Sequence, residues 1–302
     1  MKSILTSIVA ASLVATLAVA QPYHGRGLPF KPEVRASNAP SSRGNRLLVY
    51  VITVGFEFGA IDLNSGAFLP IGPGLPANVG DGLIPGPRTS LLSLGFDGSL
   101  VAIDPATGKT SVVGPTGLGD CSTPASPCGP NSANWIGYFD GKFYATDFAQ
   151  NLYSVNPDTG AAELIGPTGI PALTFAPFSP DPDGVSFDVF GETLFSANGK
   201  LYAYFSTLAV NFAAGTFRVL TPGAIYQIDP KTGHATFIAP TSSTLSSIVD
   251  MSGTVYAFDP LAGQVVTLDV TTGQTAFVST VDPAVGVVAG AAPARPAAPV
   301  VH

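Results

Sequence analysis

Five copies of one short pattern limit what this chain can fold into. An alternating apolar run ends in Asp or Asn; two variable residues, a Thr or Ser and a Gly follow; then a second apolar run begins. The copies centre on Asp62-Leu63-Asn64-Ser65-Gly66, Asp104-Pro105-Ala106-Thr107-Gly108, Asn156-Pro157-Asp158-Thr159-Gly160, Asp229-Pro230-Lys231-Thr232-Gly233 and Asp269-Val270-Thr271-Thr272-Gly273. In four of them Gly-Pro or Ala-Pro closes the second run, at Gly72-Pro73, Gly114-Pro115, Gly166-Pro167 and Ala239-Pro240. Each copy is a hairpin. The Asp or Asn side chain caps the turn, Pro presets φ at the first central position, and Gly takes the left-handed position at the end. The flanking alternation is that of strands packed between neighbouring sheets. The five acidic-type residues are therefore turn caps rather than catalytic carboxylates.

A second hairpin lies upstream in some copies. Phe139-Asp140-Gly141-Lys142-Phe143-Tyr144-Ala145 resembles the run from Val249 to Ala257, and Phe187 to Phe195 reads as a looser copy. Two hairpins per repeat make four strands, with no useful 3.6-residue period anywhere. The Asp/Asn residues at 62, 104, 156, 229 and 269 are 42, 52, 73 and 40 residues apart, against ~40–45 for a four-stranded propeller blade. The 52 contains an irregular stretch, 115–132. The 73 contains two, 168–184 and 209–222, or else a degenerate sixth blade built on Thr193–Ala197 and Lys200–Ser206. Residues 285–292 read as an innermost strand with no blade after it, and 47–73 as a blade lacking one. Pairing them closes a ring and removes exposed edges. The expected fold is all-β: a propeller of four-stranded antiparallel blades, five in number with six as the alternative. A β-sandwich or a solenoid is the residual choice.

The repeat core, aromatic-x-Ile-Asp-Pro-x-Thr-Gly ending in Ile-Gly-Pro, resembles that of secreted β-propeller repeat proteins over residues 47–292. The resemblance implies architecture and no particular activity. The fifth copy departs from it, with Val270 in place of Pro and Ser279-Thr280 in place of Gly-Pro.

Composition agrees with such a ring. Pro and Gly make up 62 of 302 residues, and only 11% of residues are charged, less than half the usual ~25%. That excludes a coiled coil, and 10% aromatic content excludes a disordered chain. Residues 1–20 read as a signal peptide, with Lys2, an apolar stretch from Ile4 to Ala18, and Ala18-Val19-Ala20 before Gln21. A secreted or periplasmic protein is expected, with no membrane span, since no later segment reaches ~18 apolar residues. Residues 21–46 form a basic Pro/Ser-rich linker with five cations against Glu33, and 293–302 an Ala/Pro-rich tail. Residues 47–302 carry 7 positive and 19 negative charges, which disfavours nucleic acid. Cys121 and Cys128 form the only available disulfide pair, expected in an oxidising compartment.

Motifs for chemistry are absent: no G-x-S-x-G, no H-E-x-x-H, no Walker loop. The three histidines, His24, His234 and His302, cannot make a multi-histidine metal site. No metal site is assigned. Asp181-Pro182-Asp183-Gly184 reads first as a Pro-stiffened turn, though it leaves calcium open as a cofactor. In a propeller the tight C–D turns share one face with the A–B turns. The longer D–A and B–C connections share the other, and long loops carry function. Asp81, Arg88, Asp120, Trp135, Asp147 and Arg218 are therefore the candidate ligand-binding residues, Trp135 being read first as core. A monomeric, non-catalytic binding or scaffold propeller for an extracellular glycan or protein is expected. The alternative is a lactonase-, lyase- or glycoside hydrolase-like enzyme using axial carboxylates such as Asp81, Asp120 and Asp147, or a divalent metal.

Overall fold

The computed structural model describes residues 46–76, 79–80, 82–119, 129–172, 187–211 and 216–294; the side chains of 187–191, 208–211 and 216–218 are outside that description. Strands β1 (Leu48–Thr53), β2 (Phe58–Asp62) and β3 (Phe68–Pro70) belong to blade 1. Blade 2 is β4 (Ile84–Pro85), β5 (Leu91–Leu94), β6 (Ser99–Ile103) and β7 (Thr110–Pro115). Blade 3 is β8 (Ala133–Phe139), β9 (Lys142–Asp147), β10 (Asn151–Val155) and β11 (Ala162–Pro167). Blade 4 is β12 (Phe187–Ala197), β13 (Lys200–Asn211), β14 (Thr216–Ile228) and β15 (Ala235–Pro240). Blade 5 is β16 (Ser247–Met251), β17 (Thr254–Asp259), β18 (Gln264–Leu268) and β19 (Thr275–Thr280). The last strand, β20 (Val288–Pro293), returns to blade 1 as its innermost strand, giving the order β20-β1-β2-β3. Val51 opposes Ala291, and Ile52 opposes Gly290. The protein is thus a five-bladed β-propeller of four-stranded antiparallel sheets, closed as the sequence predicts.

Two expectations about blade 4 are corrected. Phe187–Phe195 is not a hairpin but one continuous strand; the turn lies at Asn198-Gly199, where φ is 50° and 69°. Consecutive positive φ values make the two-residue turn that suits strand twist, and Asn-Gly is its strongest signal. The stretch 209–222 is mostly strand, not loop, because β13 and β14 extend as one long hairpin on either side of 212–215. The wide spacing between Asn156 and Asp229 comes from these long strands and the 168–186 connection. Thr193–Ala197 and Lys200–Ser206 are ordinary parts of blade 4, so there is no sixth blade.

The repeat turns behave as capped turns. The Asp104 carboxylate accepts from the Ala106 N–H at 2.8 Å, and that of Asp229 from the Lys231 N–H at 2.9 Å. The hydroxyl and amide of Thr271 hold the Asp269 carboxyl down at about 2. The repeat Gly has a second duty. Gly160 has φ 82°, and a Cβ there would sit 2.5 Å from the carbonyl oxygen of Gly114, at the end of the preceding blade's outer strand. Gly233 stands the same way against Gly166, at 2.6 Å. Turn glycine and Gly-Pro strand end are two halves of one blade-to-blade contact.

The core lies between blades. Five apolar clusters of the described residues fill the five interfaces. Phe58 and Ile103 mark blades 1–2, Leu100 and Ile136 blades 2–3, and Leu152 and Leu194 blades 3–4. Tyr204 and Ile248 mark blades 4–5, and Phe258 and Val51 blades 5–1. Fully burying one such side chain stabilises by about 1.5–3 kcal/mol. No helix among the described residues is long and apolar enough to cross a membrane.

Candidate functional site

The innermost strands surround an axial cavity of about 890 Å³. It opens on the face of the short A–B turns. Its walls come from β16, from the C-terminal parts of β8, β12 and β20, and from β4 with the residues on either side of it. Ile136, Leu194, Phe195 and Ile248 present apolar surface, and Thr193, Ser196 and Ser247 add hydroxyls.

One connection at this mouth breaks the repeat. Blades 3, 4 and 5 join strands A and B with two-residue turns at Asp140-Gly141, Asn198-Gly199 and Ser252-Gly253, all at positive φ. Blade 2 instead uses Gly86-Pro87-Arg88-Thr89-Ser90. The Gly86 and Ser90 backbones close it, N–H of Gly86 to C=O of Ser90, at 2.8 Å, and the Ser90 hydroxyl donates to the Pro87 carbonyl at 2.7 Å. Arg88 (φ 53°) and Thr89 (φ 69°) are consecutive left-handed residues. For a β-branched residue that is an outlier, costing about 1–3 kcal/mol. Such strain persists where surrounding structure over-determines it, here two prolines and the closing bonds. The result holds Arg88 exposed at the mouth. Among the described residues its guanidinium has no ion pair or hydrogen bond, and it is the only cation lining the cavity. Asp250, on β16, is the only acid among the described residues that line it.

A second polar constellation lies between blades 3 and 4, towards the opposite, long-loop face. Glu192 projects from β12 and is fully buried. Asn134 Nδ2 donates to its Oε2, Gln150 Nε2 donates to the same oxygen at 3.0 Å, and the Thr146 hydroxyl lies 3.5 Å from Oε1. Burial pushes this carboxyl up to about 7, with a smaller push from the Asp147 charge, while the amide and hydroxyl bonds oppose the rise. Asp147, also fully buried, accepts from the Asn151 N–H (2.8 Å), Asn151 Nδ2 (2.9 Å) and the Tyr153 hydroxyl (2.8 Å). Burial and that hydrogen bond push the Tyr153 phenol up to about 12. Gln150 Oε1 is buried without a partner among the described residues. Two neighbouring carboxyls in unlike environments suit acid–base chemistry, but both are fully buried.

The expected site residues therefore separate. Arg88 sits on the short-turn face, not the long-loop face, because β4 begins at Ile84 and the residues after Pro85 form an A–B connection. Trp135 is buried between blades 3 and 4. Asp147 closes the B–C turn of blade 3. Asp81, Asp120, Asp181, Asp183, Cys121 and Cys128 lie outside the described residues, as does the side chain of Arg218, whose backbone belongs to β14. Among the described residues no group of three or more His, Cys, Asp or Glu side chains could hold a metal ion. Glu192 escaped sequence reasoning because the false hairpin over Phe187–Phe195 put it in a turn; weighting Asn198-Gly199 more heavily places it mid-strand.

No protein-family model and no curated protein matches the chain. Among solved structures it is similar to a chain of a nidogen/laminin complex, at 11% identity and TM-score 0.46, over 83% of this chain and 99% of that one. It is similar to virginiamycin B lyase from Staphylococcus aureus, at 14% identity and TM-score 0.38, over 73% and 65%. It is also similar to the PQQ-bound aldose sugar dehydrogenase from Streptomyces coelicolor, at 13% identity and TM-score 0.40, over 72% and 86%.

Proposed function

We propose that this chain is an exported, non-catalytic binding propeller that takes its ligand in the axial cavity of the short-turn face. Export rests on the character of residues 1–20. The binding assignment rests on one observation: blade 2 abandons the repeat's two-residue turn for a strained loop that holds an arginine, unpaired among the described residues, at the mouth of a largely apolar cavity. A cavity of about 890 Å³ falls in the ~300–1,000 Å³ range of small-ligand pockets, which combine apolar walls with few polar groups. Strained backbone at such a mouth points to function.

The test is saturable binding of the neutral apolar dye Nile red, followed by fluorescence. Ser196→Trp fills the cavity wall and is expected to abolish binding, while Val112→Trp, on the exposed outer rim, leaves it intact. Absence of saturable binding, or equal binding by both variants, would reject the axial site.

A further inference from the structure

We infer that the axial cavity takes a short apolar peptide with free ends, its carboxylate at Arg88 and its ammonium at Asp250; this rests on the binding function proposed above.

Three observations select this ligand. First, the two charged residues that line the cavity among the described residues are of opposite sign and stand on different blades, with β20 between β4 and β16. Arg88 is unpaired among the described residues. Asp250 Oδ1 accepts from the Gly253 N–H at 2.7 Å, which leaves Oδ2 for a ligand. Second, residues 47–302 carry 7 positive and 19 negative charges. Such a field opposes a net anion but not a neutral dipolar molecule. Third, the innermost strands β4, β8, β12, β16 and β20 each end their sheet, and of β20's edge only the Ala289 carbonyl is taken among the described residues, by the Gly82 N–H at 3.3 Å. Their free edges turn alternating N–H and C=O groups towards the axis. A peptide backbone supplies the complementary alternation, and its apolar side chains suit walls such as Ile136, Leu194 and Phe195. A hydrocarbon chain would leave those edges unmet.

Four probes measured by isothermal titration test the assignment: trileucine, N-acetyl-trileucine, trileucine amide and the doubly capped peptide, each against wild type, Arg88→Ala and Asp250→Asn. Asn keeps the oxygen that accepts from Gly253. Free trileucine is expected to bind tightest. Amidating its C-terminus should weaken wild-type binding roughly fivefold, the yield of one half-exposed charge contact, and should not matter in Arg88→Ala. Acetylating the N-terminus should act alike in wild type and not matter in Asp250→Asn. Equal binding of all four peptides, or a capping penalty that survives both substitutions, overturns the dipolar assignment. Failure of every peptide while Nile red still binds overturns the peptide ligand and leaves the cavity's binding role standing; failure of the dye as well removes that role.

Discussion

Glu192 shows what one buried carboxyl does to a blade interface. Its ordinary value is 4.5 and its folded value about 7, so the folded protein keeps this proton longer than the unfolded chain does. Below about pH 4.5 both states are protonated and the group is neutral for stability. Between there and about pH 7 only the unfolded chain ionises, so stability falls as pH rises. Above about pH 7 the loss is complete, roughly 3 kcal/mol. Tyr153, pushed upward, stays protonated across this window, so the slope belongs to Glu192. Glu192→Gln keeps an oxygen for Asn134 and Gln150 and puts its amide N–H₂ beside the Thr146 hydroxyl. Urea unfolding should find the variant stabilised by about 2–3 kcal/mol at pH 8 and nearly unchanged at pH 4.5. Parallel pH profiles for the two proteins would refute the buried-proton account. None of this was legible in the sequence, because a Glu beside Gly191 carries no mark of burial until the strand register is known. Asp147, expected as an axial carboxylate, is instead a buried cap for Asn151.

At the scale of elements, the repeat turns were fully legible and the deviation from them was not. Asp-Pro-x-Thr-Gly writes a C–D turn into the chain, and the capping bonds at Asp104 and Asp229 follow from it. Arg88 looked like the end of a long loop because Pro85-Gly86-Pro87 reads as loop chemistry on either side of a strand. The two-residue strand β4 is too short to announce itself through alternation, and it is fixed by pairing Ile84 with Leu92. The blade 2 connection then makes its own prediction. Thr89 carries a β-branched side chain at φ 69°, so Thr89→Gly should relieve the left-handed penalty of about 1–2 kcal/mol and forfeit about 0.5–1 kcal/mol of chain entropy. Thermal unfolding should show a small net gain, between about 0 and 1.5 kcal/mol, while the loosened loop binds trileucine more weakly. A variant that loses stability would mean that Thr89 is held by contacts, not strained by its backbone.

The whole molecule depends on a contact between its two chain ends. Blades 2 to 5 are each built from consecutive strands, but blade 1 borrows β20 from the far end of the chain, across the register from Val49↔Pro293 to Thr53↔Val288. This velcro was legible because residues 285–292 had an inner strand's pattern and no blade of their own. The strand begins slightly later than expected, since Pro283–Val285 forms a 3₁₀ turn capped by Asp282. Around the ring, each blade's apolar faces are covered by both neighbours, which explains why so few residues are charged. Without β20, β1 would expose a bonding edge and Val51 would lose its cover. Truncation after Ala294 should leave the thermal transition unchanged. Truncation after Val287 should abolish cooperative unfolding and give an aggregating product. Adding the peptide Val288–Ala294 in trans should restore the transition if closure is strand pairing alone. A truncated chain that melts like the full protein would show that the four complete blades and the remnant of blade 1 hold the ring without it.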